Sequence, residues 1–254
     1  MKKQLRLCAA YLLSLSMIFP VLAADGDAAE STVSDPAPFS DISGHWAEDV
    51  ITRWQSSGIV NGYPDGTFKP DNPITRAELA KIITLAFGLE DKTESALTDV
   101  DSGDWYYDYV LTAIDYIPSY SPPDANEITN AYRFLEKGTF LPENQVLRFH
   151  AAETFSLLKT ERDGTEVEKP SIQDIHYELI GVYKDVEFYN LYATMHGIPE
   201  NVVRFQTYPW LAYKLGIMEG APGEDGNYFL PYNSLTRAEV LTILDRILEP
   251  ENIS

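Results

Sequence analysis

The chain has 254 residues, with 19 Lys and Arg against 39 Asp and Glu, and a net charge of −20 at pH 7. That balance excludes a nucleic-acid partner, because phosphates would be repelled over the whole surface, and any anionic ligand must be met by local, well-aimed cations. The length admits either one compact domain or a short array of small repeats.

The first residues read as an export signal. Lys2, Lys3 and Arg6 precede a largely apolar run from Leu7 to Phe19, and Pro20-Val21-Leu22-Ala23 offers small residues for a peptidase that cuts after Ala23. Residues 1–23 are therefore read as a signal peptide and the mature protein as exported. The apolar run is too short for a span, and no later stretch approaches about 20 apolar residues, so no transmembrane anchor is expected in the mature chain. Cys8, the sole cysteine, leaves with the signal, and disulfides contribute nothing. Residues 24–38 are rich in Ala, Asp, Ser and Pro, cannot bury enough surface to offset ordering entropy, and read as a flexible leader.

From Phe39 onward a pattern recurs: Phe-x-Pro, five intervening residues, then Arg. It occurs at Phe68-Lys69-Pro70 with Arg76, at Phe140-Leu141-Pro142 with Arg148, and at Phe229-Leu230-Pro231 with Arg237. Shuffling this composition predicts about 0.02 occurrences, so the three mark an internal repeat. Each introduces an apolar stripe of helical period, Ile74, Leu79, Ile82, Ile83, Ala86 and Phe87 in the first and Leu235, Val240, Ile243, Leu244, Ile247 and Leu248 in the third. Thr75 with Glu78 and Thr236 with Glu239 form capping boxes at the helix starts. In the second unit Leu147 and His150 take those places and the box is lost. A shorter front helix precedes each signature, with Trp46, Val50 and Trp54 at i, i+4, i+8 in the first unit and Trp105, Tyr109 and Ala113 in the second. In the third, Pro209 is expected to split the front helix, with one part near Asp185 to His196 and a short one starting at Pro209.

Phe39-Ser-Asp41-Ile, Gly44-His45-Trp46-Ala47, the run from Gly58 to Phe68 and Ile74-Thr75-Arg76-Ala77-Glu78 together resemble a complete S-layer homology repeat. The second unit resembles the family in part, through Thr98-Asp99-Val100, Gly103-Asp104-Trp105 and Gly138 to Pro142, with an insertion at 118–137. The third keeps Tyr183-Lys184-Asp185-Val186, Gly216-Ile217, Gly220, Asp225-Gly226 and Leu235 to Glu239. The units are bounded at 39–92, 97–160 and 183–249, with a linker at 161–182. The resemblance implies an all-α fold of three helical-hairpin repeats in a pseudo-threefold spindle around a central helix bundle. It also implies that grooves between repeats bind secondary cell-wall polysaccharide, often pyruvate-modified, at a bacterial cell wall or surface layer.

Arg76 and Arg237, and after them Arg148, are the candidate ligand-binding cations, since a guanidinium can grip a sugar carboxylate with two parallel hydrogen bonds. The alternative is that each pairs with a neighbouring carboxylate and ties units together. Trp46 and Trp105 can offer an apolar face to a sugar ring, or fill the core of their helices. Asp41, Asp99 and Asp185 open their units and either accept from sugar hydroxyls or cap the following helix. Gly62 and Gly220, like Gly66 and Gly226, supply turn geometry and let backbone amides approach a ligand.

His45, His150, His176 and His196 lack the two-on-one-face spacing of a zinc helix, and no calcium loop is complete, so no metal and no cofactor is expected. There is no nucleophile elbow, phosphate loop or catalytic cysteine, and the reading is non-enzymatic. Only Glu249 to Ser254 follow the last repeat, so the module or its inserted segments are expected to be the functional product. The main reading is a non-covalent wall-polysaccharide binder. The alternative is an adaptor that docks another envelope protein through the aromatic-rich stretches Tyr116–Phe134 and Tyr177–Phe205.

Overall fold

The computed structural model describes residues 37–94, 97–118, 139–185 and 200–248. The expected signal peptide, nearly all of the leader, almost all of the insertion at 118–137 and the expected helix near Asp185 to His196 lie outside those residues. The described chain is all-α apart from one small hairpin. Its helices are α1 (Glu48–Ser56), α2 (Arg76–Phe87), α3 (Tyr107–Ala113), α4 (Arg148–Asp163), α5 (Ile172–Val182), α6 (Glu200–Lys214) and α7 (Arg237–Leu248). Strands β1 (Ala221–Gly223) and β2 (Gly226–Tyr228) pair antiparallel around Glu224-Asp225. No helix among the described residues is long and apolar enough to cross a membrane.

The helices that begin at the three arginines start by different local chemistry and solve the same problem. At α2, Thr75 Oγ1 accepts from the Glu78 amide at 3.2 Å and Glu78 accepts from the Thr75 amide at 2.9 Å. At α7, Thr236 and Glu239 repeat this at 3.2 and 2.8 Å. At α4, Leu147 offers no side-chain cap. In all three, the next orphan amides are satisfied by a neighbouring unit. Arg76 and Ala77 donate to the Asn144 and Pro142 carbonyls, Arg148 and Phe149 to Asn233 and Pro231, and Arg237 and Ala238 to Asn72 and Pro70.

The junctions close head to tail. The Ile74 amide donates to Leu235, the Leu235 amide to Val146 and the Val146 amide to Ile74, at 3.0, 2.9 and 3.0 Å, a closed ring through three residues with no solvent exposure. Helix contacts follow the same order, with α2 against α3, α4 against α6 and α7 against α1. The α1–α7 contact is pinned by Asp245, which accepts from Arg53 at 2.6 Å and from the Trp54 indole at 3.3 Å. One continuous core runs through all three units, with Trp54, Phe68, Phe140, Phe155 and Phe229 among its largest buried side chains.

One expectation is corrected, at Pro209, and the two readings of Trp46 and Trp105 are separated. Within residues 161–182, α4 runs on to Asp163, and α5 forms because Ser171 caps it, accepting from the Asp174 amide at 3.2 Å, while Ile175 and Leu179 bury one face. Pro209 does not begin a helix but lies inside α6. Burial of Trp210, Leu211 and Ala212 outweighs the hydrogen bond that proline removes. Trp46 and Trp105 are not helix-core residues. Both precede their helices and are exposed, by 64% and 56%, while Trp54 fills the core in the first unit.

Candidate functional site

Each Phe-x-Pro turn carries its middle residue in the left-handed region, Lys69 at φ 57°, Leu141 at 55° and Leu230 at 57°. The bend turns two successive amides to one side, an arrangement that holds an anion. Here the anion is the chain's own. Asp41 accepts from Phe68 and Lys69, both at 2.8 Å. Asp99 accepts from Phe140 at 2.9 Å and from Leu141 at 2.7 Å, and Asp185 from Phe229 and Leu230 at those same distances. The three aspartates thus neither cap the following helix nor turn free oxygens to solvent; they hold the turn that receives an arginine.

That arginine comes from the preceding unit in the ring. Arg76 donates Nε to the Phe140 carbonyl at 2.7 Å, Arg148 to Phe229 at 2.8 Å and Arg237 to Phe68 at 2.9 Å. Each guanidinium also lies over the ring of the same phenylalanine, at 4.6, 5.7 and 4.7 Å from its centre. The Phe-x-Pro and Arg of one signature therefore never meet; each completes its neighbour's. The Nη1 groups of Arg237 and Arg148 pair with the capping-box glutamates, Glu78 at 2.6 Å and Glu239 at 3.2 Å.

Around these two ion pairs open two clefts of matching build. One, about 240 Å³, is lined by Gly62 with Ile59 to Asn61, by Glu78, Lys81 and Ile82 of α2, by Trp105 of the second unit and by Arg237 of the third. The other, about 150 Å³, is lined by Gly220 with Ile217 to Glu219, by Glu239, Thr242, Ile243 and Arg246 of α7, by Trp46 of the first unit and by Arg148 of the second. Each cleft thus combines a glycine turn, an exposed tryptophan and an arginine–glutamate pair contributed by all three units. Of the predicted residues, Arg237, Trp105 and Gly62 meet in the first, and Arg148, Trp46 and Gly220 in the second. Arg76 joins neither; it faces a third cavity with His150.

The tryptophans are aimed by their turns. His45 Nδ1 accepts from the Ala47 amide at 3.1 Å and its other nitrogen meets Asp71 at 3.1 Å, so the backbone around Trp46 is braced on both sides. Asp104 accepts from the Asp101 amide at 2.8 Å just before Trp105. Lys81, which sequence reasoning missed, stands 6.0 Å from the Trp105 ring and adds a second cation to the first cleft. Its signal was its place three residues after Glu78, on the same helix face. Arg246, in the last turn of α7, adds a second cation to the second cleft and had no such signal.

Gly62 and Gly220 have φ of 64° and 83°. A Cβ at Gly62 would run into the Phe39 ring and the Thr67 carbonyl, and one at Gly220 would come within 2.6 Å of the Tyr183 ring and 2.7 Å of the Tyr228 carbonyl. Gly220→Ala is expected to destabilise the fold by about 2–4 kcal/mol, because strain and overlap add. Gly58→Ala, at φ 76° but in open space, should cost only about 1 kcal/mol. Urea unfolding of the two variants checks the contrast.

Burial pushes Arg76 down to about 10, against the pull of Asp99, so it stays cationic at neutral pH. Burial first, and Arg76 second, hold the His150 imidazole well below its usual range, which keeps it neutral there.

Residues 38–80 match the family model of the S-layer homology domain. The chain is 30% identical over 213 residues to an amylopullulanase of Thermoanaerobacterium thermosulfurigenes, covering 83% of this chain and 9% of that protein. It is 36% identical over 124 residues to a surface layer protein of Brevibacillus choshinensis, covering 47% of this chain and 10% of that protein. It is 42% identical over 71 residues to the outer membrane protein SlpA of Deinococcus radiodurans, covering 28% of this chain and 6% of that protein. The chain thus spans a tenth or less of the length of each of these relatives. The first unit, with its capping box, glycine turn and aspartate-held Phe-x-Pro, is the stretch the family model covers, and residues 38–80 are an S-layer homology domain.

Proposed function

We propose that the chain anchors to the bacterial cell wall without catalysis, by binding an anionic secondary wall polysaccharide non-covalently in the clefts at Trp105 and Trp46. The S-layer homology domain and the surface-layer relatives put it at a bacterial cell wall or surface layer. One observation carries the reading: two clefts of the same composition, each joining an exposed tryptophan, a glycine turn and a buried arginine paired with glutamate. The tryptophan face suits the C–H side of a sugar ring. In the first cleft Arg237 and Lys81 stand against Glu78 alone, which gives a net cationic site on a strongly acidic protein and favours an acidic sugar.

The test is co-sedimentation with purified wall sacculi, either intact or stripped of secondary polysaccharide. Binding to intact but not stripped sacculi is the expected result. Equal binding to both, or to neither, would overturn the reading and turn attention to another envelope protein as partner.

A further inference from the structure

The second unit differs from the other two at one decisive position. Where Glu78 and Glu239 neutralise Arg237 and Arg148, the third residue of α4 is His150, and among the described residues Arg76 forms no ion pair with a glutamate. Arg76 is only 2% exposed. Its Nε and Nη1 donate to the Phe140 and Pro118 carbonyls, the latter at 2.9 Å, and its Nη2 is buried with no hydrogen-bond partner among the described residues. Asp99 lies nearby, but its oxygens are spent on the Phe140 and Leu141 amides, just as Asp41 and Asp185 are spent in the other units. Relative to its two counterparts, this junction lacks the carboxylate at the third position of its helix.

Beside the guanidinium lies a cavity of about 360 Å³, lined by Arg76, His150, Leu147, the amides Asn144 and Gln145, and Glu143, which is exposed at its rim. It is the largest of the three spaces next to the arginines, and no tryptophan walls it. A buried cation without a counter-ion is costly, and a bound anion removes that cost. We propose that this cavity takes a small free oxyanion, of the carboxylate or phosphate class, which lies against the Arg76 guanidinium and supplies the charge that glutamate supplies at the other two junctions. The anion is a structural counter-ion of the second unit and not a sugar ligand, so the site stands apart from polysaccharide binding in the two tryptophan clefts.

The test is thermal unfolding and isothermal titration of the full chain with sodium phosphate and with sodium acetate, against sodium chloride at matched ionic strength. The expected result is a saturable rise in melting temperature with phosphate or acetate and none with chloride. His150→Glu rebuilds the pair seen at Glu78 and Glu239, so it should fold, melt higher without added anion, and bind phosphate and acetate at least ten-fold more weakly. Arg76→Gln, if it folds, should lose the response as well. The proposal is overturned if the wild-type chain shows no saturable difference between these anions and chloride, or if His150→Glu keeps the wild-type response.

Discussion

Asp185→Ala is expected to destabilise the chain by about 2–4 kcal/mol, with Asp99→Ala close behind. Each carboxylate accepts two backbone amides at 2.7–2.9 Å, and hydrogen bonds to a charged group contribute about 1.5–3 kcal/mol each where the donors are shielded from water. The same turns carry a non-glycine residue in the left-handed region, whose conformation the carboxylate helps to hold. Asp41→Ala should cost less, about 1–2 kcal/mol, because Asp41 is exposed and water can replace it. Asparagine at these positions keeps one acceptor and should recover part of the loss. A domain of this size shifts by roughly 2–4 °C per kcal/mol, so thermal unfolding should show Asp99→Ala and Asp185→Ala melting several degrees or more below the wild type. Because the three junctions close on one another, each variant should still unfold in a single transition; a separate early transition of one unit would contradict the ring.

Trp46→Ala combined with Trp105→Ala is expected to abolish wall binding while leaving stability within about 0.5 kcal/mol of the wild type. Both side chains stand largely in solvent, so truncation opens no cavity in the core. Both line the clefts, and an aromatic anchor at the centre of an interface typically contributes about 2 kcal/mol or more, roughly 30-fold in Kd. Each single variant should lose the cleft it lines and keep the other. Alanine at the arginines is a poorer probe. Arg237→Ala would strip the Phe68 carbonyl of its side-chain donor and Glu78 of its ion-pair partner, so that lost binding and lost folding could not be separated.

What was legible in the sequence was what is decided locally. The capping boxes need only Thr75 with Glu78 and Thr236 with Glu239, three residues apart, and their absence at Leu147 and His150 was equally plain. The stripes of α2 and α7 followed from period alone. The repeated Phe-x-Pro and Arg could be counted but not understood, because Arg76 acts on Phe140, 64 residues away, and Arg237 on Phe68, 169 residues back. For the same reason sequence reasoning ranked Arg76 above Arg148, although it is Arg148 that joins a tryptophan cleft. Helical spacing left Trp46 and Trp105 open between the core and a sugar-facing surface; the turns built by His45 and Asp104 hold them outside the core. Pro209 was misjudged because tertiary burial at Trp210 overrode local preference.

The most direct test of the central claim is an equilibrium titration of secondary polysaccharide, released from sacculi and cut to short fragments, into the full chain and into the Trp46→Ala, Trp105→Ala and double variants. Two binding sites per wild-type chain are expected, one in each single variant and none in the double, with all four proteins equally folded. Absence of binding to the wild type, or undiminished binding by the double variant, would contradict that claim.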